Sequence, residues 1–186
     1  MFTVSKNLGH FRHLSRNIQS QHRILKISLL TGAMMGIGSV IAQFITREKH
    51  DKFNVKSIMQ FSLYGFIFAG PIMHNWFTFL NAYFPPITQY RVLKMVCIDQ
   101  MIMSPLNVAL FVTYCYFWNT ENVIIQIKKF FFQDFVSILL SSYTIWPIVQ
   151  FINFCLIPLN RRIIFVNSIA LIWNTFLALK VRSNKD

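Results

Sequence analysis

One acidic residue, Asp99, falls inside a long apolar stretch of the sequence. A charged side chain at the centre of a membrane helix costs about 2.5–3.5 kcal/mol, so such a residue faces other helices or water. Gln100, Ser104 and Asn107 lie at relative offsets of 0, 4 and 7 and extend a polar stripe beside it. Two interpretations stay open: a buried polar cluster that fixes helix packing, or part of a path for a solute.

A second polar run lies near the C-terminus and is the most specific pattern in the chain. Gln150 and Asn153 form a short polar stripe. One proline precedes it, a second proline follows it, and an arginine ends the run. As single residues, the tryptophans and the arginine are typical interface anchors, and the amides are typical packing contacts. The run consists of Trp146, Pro147, Gln150, Asn153, Phe154, Pro158 and Arg162, with Trp173 eleven residues further on.

Small and polar residues also repeat on one face of the first apolar segment. Gly32, Gly36, Ser39 and Gln43 are separated by offsets of 0, 4, 7 and 11. Small residues at this spacing let a second helix approach closely, and an amide beside them can bond across the interface. The spacing therefore predicts tight packing of the first helix, with Gln43 as an interhelical contact.

The remaining motifs give no support to catalysis or metal binding. His74 follows Gly70-Pro71 and precedes Trp76, and no second ligand accompanies it, so we interpret it as an interfacial hydrogen-bond donor. The sequence contains no phosphate-binding loop, dinucleotide fingerprint or nucleophile paired with a base. We expect no enzyme activity, no cofactor and no metal. The three cysteines fall in apolar stretches and are predicted to be buried free thiols.

The elements that position these residues are membrane helices. The chain has 186 residues, 54% hydrophobic and 13% charged, with a mean hydropathy of +0.46. A span takes about 20 apolar residues. We predict an all-α integral membrane bundle of about four transmembrane helices, with an interfacial amphipathic segment at about 123–135. Spans are predicted at about 24–45, 57–80 and 92–118. We expect Pro105 to kink the third span and the carbonyl that it frees to need a partner from Ser, Asn or a neighbouring helix. Two further apolar runs, 136–159 and 163–179, leave four or five spans open.

Charge divides the chain into three parts. Residues 1–23 are a basic N-terminal segment, 24–180 the membrane bundle and 181–186 a basic tail. The first 47 residues contain no acid, which is typical of a mitochondrial targeting segment and also of a basic flank beside a first span. The net charge of +12 indicates the lipid bilayer and its anionic headgroups as partners, with direct nucleic acid binding not expected.

Taken together, the motifs resemble the signature of the Mpv-seventeen/PMP-twenty-two family of small peroxisomal and mitochondrial membrane proteins. The resemblance covers about residues 28–180. Besides the C-terminal run, it rests on Gly36-Ile37-Gly38 to Gln43, Gly65-Phe66 with Gly70-Pro71-x-x-His74-x-Trp76, and Asp99-Gln100 with Ser104-Pro105. Ser39 stands where the family commonly has Asp.

The resemblance implies a four-span protein of the mitochondrial inner membrane or, as the alternative, the peroxisomal membrane. Some family members are described as weakly selective pores, and others support mitochondrial DNA maintenance, nucleotide supply or ribosome assembly. We therefore expect a permeation protein for small solutes, with a non-conducting scaffold or assembly factor as the competing hypothesis. A homo-oligomer remains open. The expected path residues are Asp99, Gln100, Asn107, Gln150 and Asn153, on helices broken by Pro105 and Pro147.

Overall fold

The structure is a computed structural model. It describes the backbone of residues 2–46, 53–87, 90–119, 122–133 and 135–183, and the side chains of residues 21–45, 53–87, 90–118, 122–133 and 135–172. Helices make up nearly all of the described chain, and no strand occurs within those ranges. The all-α fold class is confirmed.

Two long helical stretches each contain a short π-helical segment. The order is α1 (Phe2–Thr46), α2 (Val55–Tyr64), a π segment (Gly65–Ala69), α3 (Gly70–Tyr83), α4 (Arg91–Ile98), a π segment (Asp99–Met103), α5 (Ser104–Asn119), α6 (Val123–Gln133), α7 (Phe135–Tyr143), α8 (Trp146–Leu156), a 3-10 turn (Leu159–Arg161) and α9 (Arg162–Ser183). The predicted basic segment 1–23 is therefore helical from Phe2 onward and continuous with the first predicted span. Its role in targeting stays a prediction.

The helices run along the bundle in alternating directions. α2–α3 runs antiparallel to α1, and α4–α5 runs antiparallel to α2–α3. α7–α8 runs antiparallel to α4–α5, with α7 beside α5 and α8 beside α4. α9 runs parallel to α1, because Asn167 Nδ2 donates to Thr31 Oγ1 at 3.0 Å and Leu171 lies beside Gly38 further along both helices. The helix directions place the ends of α3 and α8 together with the starts of α4 and α9, and we call this the arginine end of the bundle.

The predicted close approach of the first helix is present between α1 and α2–α3. A Cβ placed on Gly65 would lie 2.8 Å from the Cα of Gly32. Ser39 Oγ and Ser57 Oγ are 3.4 Å apart. Backbone therefore touches backbone in the middle of this interface, which larger side chains would prevent.

A hydrophobic core lies near the arginine end. Its buried members come from α3, α4, α8, α9 and the residue after α3, and they are Phe77, Leu80, Phe84, Met95, Phe154, Ile163 and Val166. Phe77 and Phe154 meet edge to face, with ring centroids 5.7 Å apart. This cluster fixes the position of α8 against α3 and α4.

Two helices of the described chain are long and apolar enough to cross a membrane, Gln21–Ile45 and Arg91–Trp118. α7 and α8 would form a third span if the bent pair, with its 46° bend, is one span. The all-α membrane bundle is thus supported, and the predicted count of about four spans stays a prediction. The expectation of buried cysteines is wrong: Cys97 and Cys155 are exposed on the outside of the bundle, and Cys115 is half-buried.

Candidate functional site

A cavity of about 530 Å³ lies between α3, α5, α7, α8 and α9, beside the second π segment. Its wall is mainly apolar, with polar groups supplied by the residues that the sequence singled out and by two serines of α7. The lining residues are Met73, Asp99, Gln100, Ser104, Asn107, Val108, Phe111, Val112, Ile138, Ser141, Ser142, Trp146, Gln150 and Val166. The predicted polar stripe on the third segment therefore faces one common space.

Asp99 is the only acidic residue in the cavity wall, and only 2% of it is exposed. Trp76 Nε1 donates to Oδ1 at 2.8 Å, and Gln100 Nε2 donates to Oδ2 at 2.9 Å. Gln150 lies beside the same carboxylate. No Lys, Arg or His belongs to the wall among the residues that the structure describes, so the described donors that hold Asp99 in place are neutral.

Proline explains the π segment that carries Asp99. The Ser104 N–H donates to the Asp99 carbonyl five residues back, so the next donor in this pattern would be Pro105, whose nitrogen carries no hydrogen. The Gln100 carbonyl left over accepts a hydrogen bond from the Tyr143 hydroxyl of α7 at 3.0 Å. A side chain from a neighbouring helix thus satisfies the carbonyl, as predicted, and the predicted kink takes the form of a π segment.

The same construction occurs in the second helical stretch. The Gly70 N–H donates to the Gly65 carbonyl five residues back, immediately before Pro71. The α7–α8 pair breaks at Thr144–Ile145, with Pro147 in the first turn of α8. Irregular backbone inside a membrane domain is tolerated where protein or a cavity surrounds it. Two of these three breaks adjoin the cavity through Asp99 and Trp146.

The C-terminal run is divided between the cavity and the core. Gln150 lines the cavity, whereas Asn153 is fully buried behind it and donates to Gln150 Oε1 at 2.9 Å. Phe154 belongs to the hydrophobic core. Pro158 follows α8 and precedes the 3-10 turn that leads into α9. The side chain of Trp173 lies outside those that the structure describes.

Arg162 is buried at the start of α9, with 4% of its surface exposed. Its Nε donates to the Ile157 carbonyl at 3.1 Å, and its Nη2 donates to the Phe154 carbonyl at 3.4 Å. These carbonyls end α8, where they have no partner within the helix. The buried Arg162 side chain therefore caps the C-terminal end of α8. The sequence analysis expected an interface anchor and did not predict this role.

The motif residues of the first two segments serve packing. Gln43 accepts from the Asn54 N–H at 2.7 Å and donates to the Asn54 carbonyl at 3.2 Å, which ties the end of α1 to the start of α2. Gly70 lies against Ser28 of α1. His74 is half-buried on α3, outside the cavity wall. Among the described side chains, no three His, Cys, Asp or Glu residues are placed to hold a metal ion.

The sequence interpretation missed the opposite wall of the cavity. Ser141 and Ser142 of α7 line it, and Tyr143 bonds the π segment. Two adjacent serines in an otherwise largely apolar run could have indicated a polar surface on α7. A serine hydroxyl can also bond a carbonyl of its own helix, so the sequence did not distinguish the two roles. Both hydroxyls do donate to carbonyls four residues back, Ser137 and Ile138.

Comparisons with known proteins agree with the motifs. The model of the Mpv17 / PMP22 family matches residues 121–178. The mitochondrial inner membrane protein Mpv17 of Danio rerio is 31% identical over 157 residues, covering 83% of this chain and 88% of that protein. Its Homo sapiens counterpart is 30% identical over 158 residues, covering 83% and 89%. The PXMP2/4 family protein 2 of Dictyostelium discoideum is 28% identical over 162 residues, covering 84% and 83%. No solved structure matches.

Proposed function

Because the chain belongs to the Mpv17 / PMP22 family of multi-pass organelle membrane proteins, we propose that it is a weakly selective permeation protein for small solutes. The predicted location in the mitochondrial inner membrane, with the peroxisomal membrane as the alternative, is confirmed by the names of its relatives. No catalytic step is part of the proposal, and its partners are the bilayer and the permeating solute.

The observation that carries the proposal is the cavity beside the π segment. Its volume of about 530 Å³ falls within the range of about 300–1,000 Å³ that small-molecule sites occupy. Polar groups from two helical stretches line it, Asp99 and Asn107 from the α4–α5 stretch and Gln150 from α8. A buried packing cluster would gain stability from filling this space, whereas a path for solutes requires it to stay open.

The position of Asp99 adds a second argument. Ionisable residues inside membrane helices are costly and rare, and they commonly mark substrate or ion pathways. Here the carboxylate receives hydrogen bonds from Trp76 and Gln100 but keeps a face in the cavity wall. We infer that these donors hold the carboxylate in a fixed orientation toward a passing solute.

The experiment is flux or conductance measurement on the purified full-length protein in liposomes. We expect Asp99→Asn and Gln150→Leu to change solute selectivity or conductance, because both side chains face the cavity. Gln126→Leu is the matched control, since Gln126 lies on α6 outside the cavity wall. Unchanged conductance in both cavity variants would remove these residues from the path, and liposomes that stay impermeable would favour the non-conducting scaffold.

A further inference from the structure

Two helix N-termini meet at the arginine end, and each begins with an arginine. α4 starts at Arg91 and α9 at Arg162, and neither has an acidic residue in its first turn. Tyr90 before α4 provides no side-chain cap. The start of a helix carries a partial positive charge, so a cation there is unfavourable and an anion is favourable. Both helix starts therefore lack the negative charge that this position favours.

The guanidinium of Arg162 has hydrogen-bonding capacity that the protein leaves unused. Its Nε and Nη2 bond the end of α8, but its Nη1 is buried and has no partner among the described residues. A buried donor without a partner costs about 1–3 kcal/mol, and more when it is charged. The Nη1 group of Arg162 can therefore donate to a hydrogen-bond acceptor that the described residues do not supply.

Arg91 adds a second positive charge at the same place. It donates to the Phe84 carbonyl and, at 2.6 Å, to Asn81 Oδ1. It therefore caps the C-terminal end of α3, as Arg162 caps that of α8. Phe84 and Phe154, whose carbonyls the two arginines bond, pack in the same core cluster, so the two guanidinium groups lie in one region and their charges repel each other. Tyr90, in the left-handed conformation with φ of 52°, turns the chain into α4 just before it. Among the residues that the structure describes, Asp99 is the only acid, and its carboxylate bonds other side chains, so no described carboxylate pairs with either arginine.

The sequence supplies no carboxylate to compensate them. The two connections at this end, residues 84–91 and 157–161, contain no Asp or Glu. The first 47 residues, which include the part of α1 nearest this end, contain no acidic residue either. Apolar side chains beside the two arginines are largely exposed, with Ile87 at 91%, Leu93 at 52% and Leu156 at 71%. The missing anion is therefore expected from outside the chain, at the level where lipid headgroups lie.

We propose that Arg91 and Arg162 form a binding site for a phosphate group, carried either by an anionic lipid headgroup or by a soluble phosphate. Guanidinium groups match the geometry of phosphate oxygens and keep their charge when desolvated. A phosphate oxygen would accept the free Nη1 hydrogen of Arg162 after a small shift of the side chains that cover it, and would remove the repulsion from Arg91. The site is separate from the cavity and does not depend on the permeation proposal.

The test compares lipid binding by purified full-length protein with that of three variants. Binding is measured as the shift in the midpoint of thermal unfolding on titration with phosphatidylglycerol. Phosphatidylcholine is the reference, because its choline ammonium balances the phosphate charge and leaves the headgroup without net charge. Arg91→Gln and Arg162→Gln are each expected to raise the phosphatidylglycerol concentration needed for the half-maximal midpoint shift by about tenfold or more. Arg161→Gln is the matched control, because Arg161 carries the same charge one residue away and is exposed. A parallel titration with inorganic phosphate distinguishes the two sources.

Each result decides the proposal. Selective loss in Arg91→Gln and Arg162→Gln supports the site, and competition by inorganic phosphate at low concentration assigns it to a soluble ligand instead of a lipid. Equal loss in Arg161→Gln overturns it, since diffuse surface charge would then explain the binding. Equal stabilisation by both lipids also overturns it, since the protein would then not distinguish an anionic headgroup from one without net charge. If Arg162→Gln does not fold, Arg162→Lys and Arg91→Gln decide, because lysine retains the charge but loses the planar guanidinium.

Discussion

The contact between α1 and α2–α3 allows a quantitative test at Gly65. A Cβ at this position would lie 2.8 Å from the Cα of Gly32 and 2.9 Å from the Thr31 carbonyl oxygen, both backbone atoms. Carbon atoms in contact are ordinarily about 3.5–4.0 Å apart, so Gly65→Ala would push the helices apart by about 0.7 Å or more. Overpacking of this kind costs about 1–3 kcal/mol.

Gly38→Ala is the control for this variant. A Cβ there would meet only the Leu171 side chain, at an ordinary 3.6 Å. Both variants gain the higher helix propensity of alanine, so their difference reports the clash. For a chain of this length we expect the unfolding midpoint of Gly65→Ala to lie about 2–12 °C below that of Gly38→Ala.

The assay is thermal unfolding of the detergent-solubilised protein, followed by tryptophan fluorescence at one fixed scan rate. Gly70→Ala should behave like Gly65→Ala, because its Cβ would lie 2.7 Å from the Cα of Ser28. Equal midpoints for Gly65→Ala and Gly38→Ala would show that α1 and α2–α3 are not in backbone contact. The helix arrangement that forms the bundle would then be incorrect.

Two further stability predictions concern single polar contacts. Trp76→Phe removes one donor to the Asp99 carboxylate and should lower the unfolding free energy by about 1.5–3 kcal/mol. Trp118→Phe removes only a bond with the neutral Tyr114 hydroxyl and should lower it less, by about 0.5–1.5 kcal/mol; equal losses would contradict the role of the Trp76 bond. Gln43→Leu removes both bonds to the Asn54 backbone and should cost about 1–3 kcal/mol, with Gln43→Glu intermediate because it keeps the acceptor. Thermal unfolding measures both, and a Gln43→Leu protein as stable as the parent would show that this contact is not formed.

Helical periodicity made part of this architecture predictable. The offsets of Gly32, Gly36, Ser39 and Gln43 placed them on one face, and they do form the interface with α2–α3. The proline rule likewise predicted a disturbed helix before Pro105 and a partner for the freed carbonyl. These inferences depend only on residues within one helix and its nearest neighbours, for which the periodicity is sufficient.

Contacts between distant segments were not predictable in the same way. The cavity needs Ser141 and Ser142 of α7 opposite Asn107 of α5, and nothing in either segment specifies that pairing. Arg162 follows a proline-containing connection and was expected at the interface, yet it is buried and donates to the carbonyls at the end of α8. Such positions follow from how the helices pack together, which composition and spacing do not determine.

The most direct test of the permeation proposal asks whether the cavity is the route that solutes take. In protein freed of its native cysteines and reconstituted in liposomes, Asn107→Cys places a thiol in the cavity wall, and Leu106→Cys places one on the outer surface at the same depth. A bulky, water-soluble thiol reagent should stop flux through Asn107→Cys and leave flux through Leu106→Cys unchanged. Full labelling of Asn107→Cys with undiminished flux would contradict the proposal.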